Sequence, residues 1–273
     1  MFAQIIEALQ YAFIQRALIA GCFIALACSF LGVFLVLRRF SLIGDGLAHV
    51  SFATVALGLV LHVQPMLVSI PLVGLASVMI LKLNEKAAVY GDAAIGLLSS
   101  FGVALGVMLA SVAGGFNVDL FSYLFGNILS VSTLDVWMTI AVSLLVAGAV
   151  RLFYHDLFAI TFDEEYARVS GIKVKMINKM LVLLTSFIVV LGIKIVGTML
   201  VSSLIILPAV SALQVVRSFK ATIALAGVFG VFSVIAGVFA SYIFNLPSGA
   251  TIVMVNFLFF GGAFLSRYIS EKR

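Results

Sequence analysis

The chain has 273 residues, of which 64% are hydrophobic and only 10% charged. A soluble globular domain carries about 25% charged residues, so the composition excludes that class and points to a polytopic membrane protein. The net charge of +5 comes without a basic patch interleaved with aromatics, and so gives no sign of a nucleic-acid partner.

The N-terminal run Met1-Phe-Ala-Gln-Ile-Ile-Glu has neither a basic n-region nor a small-residue cleavage site. The first apolar stretch is therefore expected to stay in the protein, with residues 1–16 lying as an amphipathic helix on the membrane surface. Apolar runs longer than about 18 residues, without the ten-residue alternation of a barrel, predict an all-α bundle of about nine transmembrane helices. The spans fall at 17–37, 44–63, 65–82, 92–113, 132–152, 176–193, 195–216, 221–243 and 250–266. Cys22 and Cys28, on different faces of the first span, read as packing residues. Residues 120–130 are apolar but too short to span, so they are expected in the outer interface or re-entering. No repeat or linker interrupts the chain, and residues 1–273 read as one transmembrane domain.

Charge sets the direction. An outside N-terminus puts Arg38, Arg39, Lys82, Lys86, Arg151, Arg168, Lys173, Lys175, Lys179, Arg217, Lys220, Arg267, Lys272 and Arg273 at cytoplasmic ends, and leaves only Arg16 and Lys194 outside. The C-terminus is then cytoplasmic.

In Gly44-Asp45-Gly46-Leu47-Ala48-His49 a carboxylate and an imidazole stand four apart, hence on one face of the second span. Asp45 alone can be read as a helix cap close to Arg38 and Arg39, but capping has no use for a histidine one turn deeper. Divalent metal binding does, since ionised carboxylate and neutral imidazole are standard ligands. Two ligands are too few for a four-coordinate site, so a second copy is expected to complete it. His62 reads as a loop histidine, Asp92 and Asp135 as helix caps, and Pro208 as a hinge or a tolerated proline in the seventh span.

The densest charge lies between the fifth and sixth spans. Thr161 with Glu164 reads as a capping box and Gly171 as a stop, giving a helix over 162–170. Phe162, Tyr166 and Val169 form its apolar stripe. Two readings stand at this point, a solvated loop and a helix that docks into a partner's groove. The chain has no phosphate-binding Gly-x-x-x-x-Gly-Lys-Ser/Thr loop, no nucleophile elbow and no His-Glu-x-x-His helix.

Four stretches, in order, resemble the permease subunits of metal-uptake ABC transporters, which import zinc, manganese or iron in bacteria. They are Leu31 to Ser51 with its Arg-Arg-Phe-Ser-Leu-Ile-Gly-Asp-Gly-Leu-Ala-His core, Asp163 to Gly171, Val196 to Ala212, and Leu246-Pro-Ser-Gly-Ala-Thr-Ile-Val. The resemblance implies a plasma-membrane permease that is not itself an enzyme, with ATP hydrolysis on separate cytoplasmic ATPase subunits. It further implies an extracytoplasmic metal-binding protein and a second permease copy or a paralogue. No permanently bound cofactor is expected; the divalent metal is cargo. Asp45 and His49 match the family's Asp-x-x-x-His in the translocation path. Asp163, Ala167 and Gly171 match its coupling loop, which favours docking on the ATPase for the helix that also carries Phe162 and Tyr166. The Arg-Arg-Phe-Ser-Leu-Ile-Gly-Asp-Gly-Leu-Ala-His stretch looks closest to zinc permeases, so zinc is the expected metal, with manganese or iron as the alternative within the family. The alternative outside it is an ATP-independent cation transporter, which usually carries several intramembrane acids.

Overall fold

A computed structural model describes residue 7, residues 9–86, 91–112, 126 and 131–272. The helices are α1 (Ala12–Leu37), α2 (Ile43–Val60), α3 (Pro65–Lys86), α4 (Gly91–Val112), α5 (Thr133–Leu152), α6 (Tyr154–Phe162), α7 (Glu164–Val169), α8 (Val174–Val196), α9 (Thr198–Val215), α10 (Phe219–Phe244) and α11 (Ser248–Glu271). Among the described residues nine of these, all except α6 and α7, are long and apolar enough to cross a membrane, and they coincide with the nine predicted spans.

The start of the first span differs from the sequence reading by more than a turn. Helix α1 starts at Ala12, not 17, and takes in residues assigned to a surface helix. Arg16 does not stop it, because the exposed guanidinium turns back to donate to the Ala12 carbonyl at 3.2 Å. Of the rest of that surface helix, residues 1–6 and 8 lie outside the described residues, as does the 120–130 stretch apart from Gly126. Gly126 itself packs on the α8–α9 junction, where an added Cβ would stand 2.7 Å from the Gly197 nitrogen.

Helices α1 and α8 form the centre, and Phe34, Ile24, Leu31, Leu181, Ile188 and Ile195 are fully buried between them and their neighbours. Lipid is as apolar as leucine, so close packing, not water exclusion, joins such helices, and small residues set how near the backbones come. Gly32 of α1 lies directly on the Ile205 carbonyl of α9. Cys28 is buried in this core and Cys22 partly so, both as free thiols, in keeping with packing roles.

Helix ends are closed by a shared device. After α1, Phe40 N–H bonds to Leu35 O and Arg39 N–H to Val36 O, with Arg39 at φ 60. This is a Schellman motif with a left-handed residue just past the helix. His62 (φ 54) closes α2 in the same way, with Val63 N–H on Gly58 O. That gives His62 a turn-forming place at the far end of α2, about 20 Å along the helix from His49.

Candidate metal site and docking helix

Asp45 lies in the first turn of α2, and no side chain caps that helix. The cap reading of Asp45 therefore has no geometric support. Its Oδ2 lies 3.6 Å from His49 Nε2, close enough for one cation to engage both. The two side chains are 53% and 36% exposed in the single chain, which is unusual for polar groups on a spanning helix.

The flanking small residues explain how they come to face outward. Gly44 abuts Ile205 of α9, and an added Cβ on Gly46 would stand 2.5 Å from Ile95 of α4. The back of α2 is thus clamped between α4 and α9, and Asp45 and His49 project from the face left open. Gly102 of α4 tightens the clamp. A Cβ there would come within 2.8 Å of the His49 carbonyl oxygen, and Gly106, one turn on, lies against Phe52 and Ala53. These two glycines form a Gly-x-x-x-Gly pattern, the sequence signal for this close crossing, which the sequence reading did not use. Among the described residues no group of three or more His, Cys, Asp or Glu comes together, so one chain offers two ligands.

The second candidate region departs from its sequence reading in detail. The helix expected over 162–170 is divided, with α6 ending at Phe162 and α7 beginning at Glu164. Asp163, extended at φ −151 and ψ 99, is the N-cap, and its Oδ1 accepts from Tyr166 N–H at 2.9 Å. Thr161 does not cap, because its hydroxyl donates to Leu157 O at 2.6 Å inside α6. Carboxylate is the stronger acceptor at a cap, so the Thr161–Glu164 capping box gives way to Asp163. Gly171 does terminate the helix, at φ 85, with Ile172 N–H bonded to Ala167 O.

Phe162, Tyr166 and Val169 remain exposed, as the stripe predicts, while Ala167 is fully buried and seats α7 on the bundle. Glu164 is oriented by two guanidinium groups, Arg38 Nη2 at 3.3 Å and Arg168 Nη2 at 3.3 Å. Burial lowers the pKa of Arg38, and the neighbouring Glu164 carboxylate opposes that shift. An aromatic cluster lies beneath, with the Phe219 ring 5.0 Å from Phe158, 5.5 Å from Phe34 and 5.8 Å from Phe162. Pro208 is buried inside α9, which continues through it.

At the opposite end of the bundle Lys194, left outside by the charge count, has a partner. Its Nζ lies 2.6 Å from Oδ1 of Asp135, and Asp135 closes a capping box with Ser132 at the start of α5.

Among the described residues an all-helical bundle with an outward-facing Asp/His pair and a short exposed helix at one end has the makings of a membrane permease. Residues 10–267 match the model of the ABC 3 transport family, and the chain belongs to that family. It is accordingly a multi-span permease of the bacterial ABC importer type for metal ions, and not itself an enzyme. Similar proteins include the manganese transport system membrane protein MntC of Listeria monocytogenes, 36% identical over 94% of this chain and 91% of that protein. The manganese import system permease protein ScaB of Streptococcus gordonii is 34% identical over 100% of this chain and 99% of its own length. Among solved structures, PsaBC from Streptococcus pneumoniae in complex with Fab contains a chain that matches with a TM-score of 0.87 and 33% identity, covering 100% of both. The expectation of zinc finds no support among these relatives, whose names specify manganese.

Proposed function

We propose that this chain is the permease of a manganese importer, with Asp45 and His49 as half of a transient metal station and α7 as the ATPase-docking helix. The observation that carries this reading is the Asp45–His49 pair, 3.6 Å apart and outward-facing on a spanning helix. Lipid is a poor environment for such a pair, whereas a second permease copy or a paralogue set against this face would double the ligands and enclose them. Relatives named for manganese favour that metal. The pair itself does not select it, because oxygen and nitrogen ligands hold zinc more tightly than manganese. Selectivity then lies in the geometry of the paired site and in an extracytoplasmic delivery protein.

The positive-inside count supports a cytoplasmic C-terminus and cytoplasmic α7. On that side, Phe162, Asp163, Tyr166 and Gly171 border the surface that a cytoplasmic ATPase subunit would cover, with Ala167 holding α7 in place. Closure of two ATPase subunits would move α7 and, through the bundle, turn the path from one side to the other. Pro208, without a backbone donor in the middle of α9, is the proposed point of bending.

The test measures cellular manganese, zinc and iron in a deletion strain complemented with wild type or Asp45→Ala. Manganese alone should fall with Asp45→Ala. Loss of zinc with manganese unchanged would return the assignment to zinc, and full uptake by the variant would remove Asp45 from the path.

A further inference from the structure

Where α5 ends and α10 begins, a cavity of about 520 Å³ opens beside α6, away from the Asp45–His49 pair. Its polar side is made by Arg151, Tyr154, His155 and Lys220, and Leu152 and Ile223 give it an apolar side. The volume lies in the range of about 300–1,000 Å³ usual for small-ligand sites. Among the described residues no acid lines it. The nearest in sequence, Asp156, sits in the first turn of α6.

The basic groups are organised. Lys220 Nζ sits 5.4 Å from the centre of the Tyr154 ring, whose edge-on neighbour is His155 at 5.4 Å. Arg151 comes from the last turn of α5. The N-terminus of α6, which opens at Tyr154 without a side-chain cap, adds the positive end of a helix dipole. Two membrane spans end here, and Leu152 is 80% exposed beside the charges. An anion held at this height would thus have hydrocarbon-facing surface directly below it.

From this arrangement we infer that the cavity binds an anionic phospholipid, with its phosphate between Arg151 and Lys220 and its acyl chains along Leu152. Basic pockets between spanning helices hold such headgroups through charge, while a zwitterionic lipid offers no net attraction. Tyr154 suits the boundary, since an aromatic ring with a polar tip favours the headgroup level. The site lies on α6, the helix joined to α7 by Asp163, so a lipid there would steady the base of the docking helix.

The experiment places the purified full-length permease, with any co-purifying subunits, in bilayers of phosphatidylcholine with or without phosphatidylglycerol, and reads retained lipid by native mass spectrometry. Wild type should retain phosphatidylglycerol preferentially. The R151Q/K220Q variant should lose about tenfold of that preference. The K175Q/K179Q variant, with equal charge removed elsewhere on the same side, should keep it. Lys220→Gln alone, on an exposed side chain, serves as the milder variant, with melting in phosphatidylcholine checking the fold. Equal losses in the two double variants would mean diffuse surface charge, and an undiminished preference in R151Q/K220Q would remove the site. Displacement of phosphatidylglycerol by inorganic phosphate at matched concentration would make free phosphate the ligand and overturn the lipid assignment. Release of an ATPase subunit by R151Q/K220Q with lipid retention intact would overturn it in favour of a protein partner.

Discussion

Arg38 and Glu164 meet at 3.3 Å across 126 residues of sequence, joining the turn that leads into Asp45 to the first residue of α7. The pair is unequal. The Arg38 side chain is 9% exposed and that of Glu164 is 41% exposed and shared with Arg168. Removing the acid leaves a mostly buried cation, whereas removing the cation leaves an acid that still has Arg168 and water. Glu164→Gln should therefore destabilise more than Arg38→Met, which keeps much of the packed stem. The double variant should recover part of the loss, for a coupling energy of about 1–2 kcal/mol in a double-mutant cycle of thermal unfolding. Additive losses would mean that the pair carries no coupling.

Gly102 offers a second test, because its place is fixed by the backbone of α2 and not by a movable side chain. A Cβ at Gly102 would stand 2.8 Å from His49 O and 2.9 Å from Val50 Cα. Gly102→Ala should cost about 1–3 kcal/mol through overpacking and lower metal uptake by displacing His49. Gly148→Ala in α5 meets nothing within 4 Å, and should leave stability unchanged or raise it by up to about 1 kcal/mol through helix propensity. Melting temperature and manganese uptake of the two variants check the contrast, and equal behaviour would overturn it.

This crossing also shows what the sequence could and could not reveal. Spans were legible because each apolar run is long and ends in charge, so even α5 could be placed from Ser132 and Asp135, which form its capping box. The Asp45–His49 pair was legible because four residues make one helical turn. What escaped depended on neighbours remote in sequence or on competition between local alternatives. Nothing around Gly102 names His49 as the residue it touches. Thr161 and Asp163 both suit an N-cap, and the structure decides for Asp163, whose Oδ1 accepts from Tyr166 N–H while the Thr161 hydroxyl bonds back to Leu157 O. Arg39 and His62 adopt left-handed turns that glycine would have announced and they do not.

Gly171 separates conformation from sterics. It sits at φ 85, yet a Cβ would meet nothing within 4 Å. Within this chain a substitution is therefore strained by its backbone, at about 1–2 kcal/mol for most L-residues, and not by collision. Asparagine tolerates that region far better than a β-branched residue. With α7 as the docking helix, Gly171→Asn should keep most metal-dependent ATPase activity of the assembled transporter, while Gly171→Val should lose much of it without preventing membrane insertion. Full activity in Gly171→Val would argue against α7 as the coupling element.

Asp135 and Lys194 invert the logic of Arg38 and Glu164, since here the acid is buried and the base reaches solvent. Asp135 is 1% exposed and accepts from Lys194 Nζ at 2.6 Å, Ser132 Oγ at 2.7 Å and Ser132 N–H at 3.0 Å. Lys194→Met strands a carboxylate that, among the described residues, Ser132 alone still serves. Breaking a fully buried pair costs about 3–5 kcal/mol, and the 41% exposure of Lys194 places this one at or below the lower end. Asp135→Asn should be milder, because the amide oxygen can still accept from Ser132 and the freed ammonium turns to water. Lys194→Met combined with Asp135→Asn should then be more stable than Lys194→Met alone, as read by thermal unfolding in detergent. If the double variant were the weaker one, Asp135 would be stabilising the start of α5 as an anion in its own right, through the helix dipole and the capping box, and not through Lys194.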